Sequence, residues 1–367
     1  MVVGGGVTEV SPLAAVAMGA RLGAGVKVGP FCVVGAEVSL GEGTRVLAGA
    51  VVTGRTTIGR GCVLHAHCVV GTEAVRGETV LGDFNTVFPG AVVGVECQDL
   101  KYDRGGSEMC RLEVGDGNAI REYCTVHLSS RPEWTTRIGD GNLLMAYTHV
   151  AHDCQVGDAN VLANGTQLAG HVVVGDRVHT GGGAMVHQFC HVGSMSFLAP
   201  GAKVVADVPY GAMVHGDRAA LRGLNEVGMQ RAGMGRADIA AMRRAFRYLF
   251  PKLPHDSSSH SGTNNKGGGG GKSSEEVAEE EGGGGTNREG AEEEEEEEKG
   301  EEDDEASLDG RLARLLRGDV LDAAGGRLVS CAPVREFATF IRDSRAGAAV
   351  GARRDICMPR PPSARGR

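Results

Sequence analysis

From residue 10 to residue 70 the chain reads VSPLAAVAMGARLGAGVKVGPFCVVGAEVSLGEGTRVLAGAVVTGRTTIGRGCVLHAHCVV, and every sixth residue is aliphatic. The series is Val10, Val16, Leu22, Val28, Val34, Leu40, Val46, Val52, Ile58, Leu64 and Val70. After a break it resumes as Leu81, Val87 and Val93, and after a second break as Val114, Ile120 and Val126. The last run, from Ile138 to Val204, includes Leu144, Val150, Leu168 and Val186; only Pro132, ahead of it, and Thr180, inside it, fail the pattern. Glycine often follows directly, as at Gly29, Gly59, Gly139 and Gly175. A period of six matches neither the 3.6 of a helix nor plain strand alternation. It fits a short strand plus a corner. Three such units close an 18-residue triangular coil, with the aliphatic residue inward and Gly or Asn taking the positive φ of the corner. Stacked coils pair as parallel strands about 4.8 Å apart, so roughly ten coils make a prism about 45–50 Å long.

This pattern resembles the hexapeptide-repeat proteins, and the resemblance implies a left-handed parallel β-helix. The fold class expected is therefore an all-β left-handed parallel β-helix followed by a small α-helical C-terminal domain. Composition agrees: 59 of 367 residues are glycine and only 4% are aromatic, which argues against an aromatic-rich sandwich or a leucine-heavy bundle. No run approaches the ~18 apolar residues of a membrane span, and Met1-Val2-Val3-Gly4 has no signal-peptide character. A soluble protein without a transmembrane segment is expected. The ten cysteines are scattered with no CxxC pair, which reads as reduced, buried small residues and not a disulfide framework.

The net charge of −9 is concentrated in one place, since residues 254–305 carry 19 acidic and 4 basic groups. With its runs Gly267–Gly271 and Glu292–Glu298, that segment cannot bury enough apolar surface to order itself. The expected organisation is a β-helix over 1–206, the first part of a helical domain over 207–253, and a disordered insert over 254–305. The rest of the helical domain follows over 306–350, then a disordered tail over 351–367. Within the helical part, Ile239, Met242, Phe246 and Leu249 share one helical stripe, and further helices are expected over 308–316 and 333–342.

Function must come from departures from the repeat. The two breaks eject loops near 71–80 and 94–113, the second holding Gln98-Asp99-Leu100-Lys101-Tyr102, and a third irregularity surrounds Pro132 and Trp134. Histidines concentrate in the later coils, at 127, 149, 152, 171, 179, 187 and 191. His152, His171 and His187 are spaced by nearly one coil, so they are placed to ladder up one edge. His152 is followed by Asp153, and a carboxylate beside an imidazole fixes its tautomer and supports a general base. The small residues before His171 offer backbone N–H groups as oxyanion donors.

Seven strings make the resemblance more specific: Val28-Gly29-Pro30-Phe31-Cys32, Gln98 to Tyr102, Asn142 to Met145, His149 to Cys154, Leu168 to His171, Val186 to Cys190 and Asp207-Val208-Pro209. Through them the chain resembles the acyl-carrier-protein-dependent UDP-N-acetylglucosamine O-acyltransferases that begin lipid A biosynthesis. The resemblance implies transfer of an (R)-3-hydroxyacyl group from acyl carrier protein to the sugar 3-hydroxyl of UDP-N-acetylglucosamine. It implies His152 as general base, Asp153 orienting it and Gly170 N–H as oxyanion donor. Asp99, Lys101, His149, His171, His187, Gln188, Asn225 and Arg231 would bind the substrates, and Pro200 is the acyl-length ruler candidate. It also implies a homotrimer with sites in the clefts between prisms. Cap arginines, Arg243 and Arg247 among them, would face the acidic carrier protein.

No cofactor, no metal and no nucleic-acid partner is expected, because the acyl donor rides on phosphopantetheine. The expected location is cytoplasmic or soluble organellar. Set against this reading are the N-acyltransferase that follows in the pathway, a γ-type carbonic anhydrase using histidines for zinc, and a non-catalytic β-helix scaffold. The departures from the family pattern are about one extra coil near 65–90, Pro200 at the ruler position, and the acidic insert.

Overall fold

Each aliphatic residue of the six-residue series lies on a short strand and points inward. From Leu22 to Val204 these side chains are buried, whereas Val10 and Val16 are only partly covered. The computed structural model describes residues 7–74, 77–102, 109–251, 307–322, 325–346 and 357. Strands pair in parallel with the strand one coil on, in registers such as Leu22↔Leu40, Val28↔Val46 and Val34↔Val52. Among the described residues three faces result, of twelve, ten and nine strands, referred to below as the first, second and third in chain order. Inward valines and leucines from all three meet in one core.

Thr180 takes an aliphatic slot without leaving its hydroxyl unpaired. Its Oγ1 accepts from Ala163 N at 2.9 Å and lies 2.6 Å from Thr166 Oγ1. The described cysteines are all free, and most are buried at corners as small apolar residues. Burial pushes the thiols of Cys68 and Cys154 up to about 12.

The vertex between the third and first faces is held by stacked side chains. Asp83, Asp116, Asp140, Asp158 and Asp176 each accept from a backbone N–H of the preceding coil at 2.7–2.9 Å. Inside them Asn85, Asn118, Asn142 and Asn160 form a buried ladder. Asn118 Oδ1 accepts from both Asn142 N (2.8 Å) and Asn142 Nδ2 (3.0 Å). Replacing Asn118 by alanine therefore leaves buried donors without a partner, and a stability loss of about 2–3 kcal/mol is expected in urea unfolding. An unchanged midpoint would show that the ladder adds nothing.

Stacking continues past residue 206. Ala212–His215 pairs parallel with Phe197–Leu198, and Ala220–Leu224 returns antiparallel, so helical structure begins at Glu226 and not at 207. Helices α1 (Glu226–Arg231), α2 (Arg236–Leu249), α3 (Leu308–Arg317) and α4 (Ala332–Ala346) form the cap. Ile239, Met242, Phe246 and Leu249 of α2 are buried as their stripe predicts, and Phe246 and Phe250 cluster with Phe337 of α4. The segments 254–305 and 351–367 lie outside the described residues apart from Cys357, whose N–H donates to Asp207 O at 2.9 Å.

The three irregularities share one vertex. Val70 to Leu81, Val93 to Val114 and Val126 to Ile138 span 11, 21 and 12 residues where a regular step takes six. In every case the chain is leaving the second face for the third. Three excursions on consecutive coils thus project from the same edge.

Candidate active site

The coils that follow the excursions carry His152-Asp153, Gly170-His171 and Gln188-Phe189 at that same vertex, one pair above another. Asp153, His171 and Phe189 occupy its positive-φ corner with φ of 62°, 60° and 63°. The corner turns each side chain out of the core, so a column of chemistry stands beside the loop bearing Asp99, Lys101 and Tyr102.

His152 and Asp153 are both buried. His152 Nδ1 lies 2.6 Å from Asp153 Oδ2. Asp153 is held in turn: Ser130 N donates to its Oδ1 at 2.9 Å, Ser130 Oγ donates to its Oδ2 at 2.5 Å, and its own N–H donates to Thr136 Oγ1. This network directs the His152 Nδ1 proton at the carboxylate and leaves the Nε2 lone pair for another partner. Burial favours a neutral His152 ring, but the Asp153 hydrogen bond and the adjoining Cys97 thiol outweigh it and raise the pKa to about 9. Burial likewise opposes ionisation of Asp153, and the His152 and Ser130 hydrogen bonds outweigh it and lower its pKa.

The neighbouring imidazoles are kept neutral. Burial, then the repulsion of His149 and His152, lowers His127 to about 4. His149 and His171 are also lowered, first by burial. His149 sits on the second face, with Nδ1 2.7 Å from Thr125 Oγ1 and its ring edge-on to His127. Gly170 backs directly onto the His152 ring: a Cβ placed there would stand 2.5 Å from Cε1 and 2.6 Å from Nε2.

Tyr102, Trp134, Phe189 and Arg131 complete the site, and reading the sequence did not single them out as functional. Tyr102 Oη is 3.2 Å from His171 Nε2, and its ring lies edge-on to His152. Trp134 packs edge-on against His171, Phe189 stacks on that ring, and Arg131 lies over both Tyr102 and Trp134. One signal was available. The breaks follow the eleventh, fourteenth and seventeenth aliphatic positions, numbers that differ by three, which places every break at one vertex of a three-sided coil.

Not every candidate joins this group. Asp99 and Lys101 lie on the excursion, Lys101 exposed, and His187 and Gln188 lie one coil above His171. Pro200 is exposed at the vertex between the first and second faces. Asn225 caps α1, accepting from Gly228 N and donating through Nδ2 to Met195 O at 2.8 Å. With Arg231, Arg177, His179, Phe197 and Met213 it lines a cavity of about 500 Å³ on the first face. In a triangular prism that face is opposite the His152 vertex, so one chain holds the two groups on opposite sides.

The chain is similar to a specific set of proteins. Residues 207–260 match the second domain of UDP-N-acetylglucosamine O-acyltransferase, and residues 19–54, 37–72 and 135–170 match the bacterial transferase hexapeptide repeat. An Anaeromyxobacter acyl-[acyl-carrier-protein]–UDP-N-acetylglucosamine O-acyltransferase is 41% identical over 48% of this chain and 68% of its own. The chain belongs to the UDP-N-acetylglucosamine O-acyltransferase family. The structure of the Arabidopsis UDP-N-acetylglucosamine acyltransferase superposes with a TM-score of 0.75 at 38% identity, covering 95% of this chain and 99% of that one. An Arabidopsis thaliana relative described as probable and mitochondrial is 48% identical over 52% of this chain and 55% of its length. The matched regions span 63% of a Synechocystis relative at 38% identity. The left-handed parallel β-helix and helical cap expected of this family are the architecture of this chain.

Proposed function

We propose that this protein transfers an (R)-3-hydroxyacyl group from acyl carrier protein to the 3-hydroxyl of UDP-N-acetylglucosamine, the first step of lipid A biosynthesis. The observation that carries the proposal is the buried His152–Asp153 pair backed by Gly170, in which the Nδ1–carboxylate bond leaves Nε2 as the nitrogen for the substrate proton. His152 Nε2 takes the hydroxyl proton as the sugar oxygen attacks the thioester carbonyl, and Asp153 stabilises the imidazolium. The Gly170 N–H steadies the tetrahedral oxyanion. The C–S bond then breaks, and the departing pantetheine thiolate recovers the proton from His152. No cofactor enters this sequence.

Asp99, Lys101, His149, His171, His187 and Gln188 contact substrate around this vertex. Asn225 and Arg231 serve a neighbouring protomer. A closed threefold ring that lays the His152 vertex of one prism against the first face of the next joins the two halves, which is why the functional unit is a homotrimer. Pro200 bears on acyl length within that interface. Exposed Arg243 and Arg247 on α2 suit an acidic carrier protein, although Arg243 is also paired bidentately with Glu226. No described helix is long and apolar enough to cross a membrane. The mitochondrial description of the Arabidopsis relative supports a soluble organellar location.

The deciding experiment incubates the protein with UDP-N-acetylglucosamine and a panel of (R)-3-hydroxyacyl carrier proteins, with mass spectrometry of the products. An O-acylated nucleotide sugar is expected, and the best donor reports the chain length. No product from any donor, with the assembly intact, overturns the assignment.

A further inference from the structure

Two imidazoles stand beside Asp153 Oδ2, and only one is bonded to it. That oxygen already accepts from His152 Nδ1 at 2.6 Å and from Ser130 Oγ at 2.5 Å, while Oδ1 accepts from Ser130 N at 2.9 Å. His171 Nε2 lies 3.5 Å from the same Oδ2, beyond the roughly 2.7–3.2 Å of an N–H···O bond. A small movement of His171 would therefore make it a competitor of His152 for the carboxylate.

His171 is paired with Tyr102 instead. Tyr102 Oη is 3.2 Å from His171 Nε2. A carboxylate oxygen on the same side favours the tautomer with its proton on Nε2, so the tyrosine oxygen accepts that hydrogen bond. Tyr102 is itself fixed: its ring is edge-on to His152 with centroids 5.3 Å apart, edge-on to Trp134 at 6.4 Å, and covered by the Arg131 guanidinium at 5.5 Å. His171 is stacked on Phe189 at 4.5 Å and met by Trp134 at 5.0 Å. A few tenths of an ångström, and not a new rotamer, separate its two partners.

We propose that Tyr102 is a positioning residue whose hydroxyl keeps His171 off Asp153, so that the carboxylate stays with His152. Its value for turnover rests on the acyl-transfer reading, in which Asp153 supports the His152 imidazolium; the positioning itself does not. His171 faces Asp153, His152, Arg131 and Asp99, and His152 faces Asp153, Cys97, His127 and His149 as well as His171. Asp153 is the charged group common to both rings. Removing the hydroxyl alone turns His171 toward that carboxylate, which favours the charged form of His171 and withdraws part of the same support from His152.

The test follows the Cε1–H resonances of the full-length protein by proton NMR across pH, without substrate, so its failure is separate from a failure of acyl transfer. The two signals are assigned by their loss in His152→Gln and His171→Gln. In Tyr102→Phe the His171 midpoint should rise and the His152 midpoint should fall, each by about 1 pH unit. In an Asp153→Asn background the same tyrosine change should leave His171 in place, because no carboxylate is there to receive it. A merely structural role for Tyr102 would move His171 alike in both backgrounds. Circular dichroism checks each fold, and Tyr102→Leu replaces Tyr102→Phe should the latter not fold. Unchanged midpoints in the folded single variant, or an equal His171 shift with and without the Asp153 carboxylate, overturn the proposal.

Discussion

Replacing His152 by alanine is expected to lower kcat/KM by about 10²–10⁴-fold, the usual contribution of a positioned general base. The fold should survive, because the side chain projects from a corner and no inward aliphatic position is touched. Asp153 keeps both Ser130 hydrogen bonds, which limits the cost of leaving its carboxylate unpaired by the imidazole. Steady-state kinetics on the variant, with circular dichroism as control, checks this. Full activity in a folded variant would sink the role of His152.

The parent enzyme should carry the same information in its pH profile. The Asp153 hydrogen bond and the Cys97 contact raise His152 to about 9 against the effect of burial, so the ring is mostly protonated at pH 7. A base must be neutral to act, and kcat/KM therefore rises with pH across the range from 7 toward 9. In Asp153→Asn the principal support of the charged ring is gone. The limb should move to lower pH while the plateau falls, since the imidazolium formed in the transition state loses its partner. A limb that stays in place would mean that another group controls it.

How much of this was legible beforehand depends on the range of the interaction. The prism was readable because its period repeats in every coil, and even Thr180, a miss in the series, finds local partners. The His152–Asp153 pair was readable because its members are adjacent. Tyr102, Trp134 and Phe189 were not, because they meet only when coils separated by 32 and 55 residues are stacked. Their meeting is fixed by the vertex at which each excursion leaves, information held in the count of strands between breaks. Asn225 and Arg231 show the opposite case. The family resemblance groups them with His152, but the prism puts them on the far face, and in the trimer proposed above a neighbouring protomer would bring them back. Helical structure starts later than the expected 207 because the final strands, Ala212–His215 and Ala220–Leu224, abandon the six-residue step while keeping the pairing.

Gly170→Ala adds one methyl group and should cost nearly as much as removing the base. Its Cβ would fall 2.5 Å from Cε1, 2.6 Å from Nε2 and 3.1 Å from Nδ1 of His152, inside any tolerable contact. The ring cannot yield cheaply, since it is buried, tied to Asp153 at 2.6 Å and met by the Tyr102 ring. Either the imidazole shifts by something near an ångström, which alone is enough for about 10²-fold, or the backbone moves and takes the oxyanion donor with it, at a cost of 10²–10³-fold. The two losses share one origin and do not multiply, so a fall in kcat/KM of about 10²–10³-fold is expected. Gly182→Ala is the matched control. On the next coil, at the vertex between the first and second faces, its Cβ meets only Asn164 O at 3.5 Å, an ordinary contact, and near-parental activity is expected. Equal kinetics for the two variants would show that the space behind His152 does not govern the reaction. A deficit confined to Gly170→Ala, with both variants equally stable, ties the rate to the position of one imidazole.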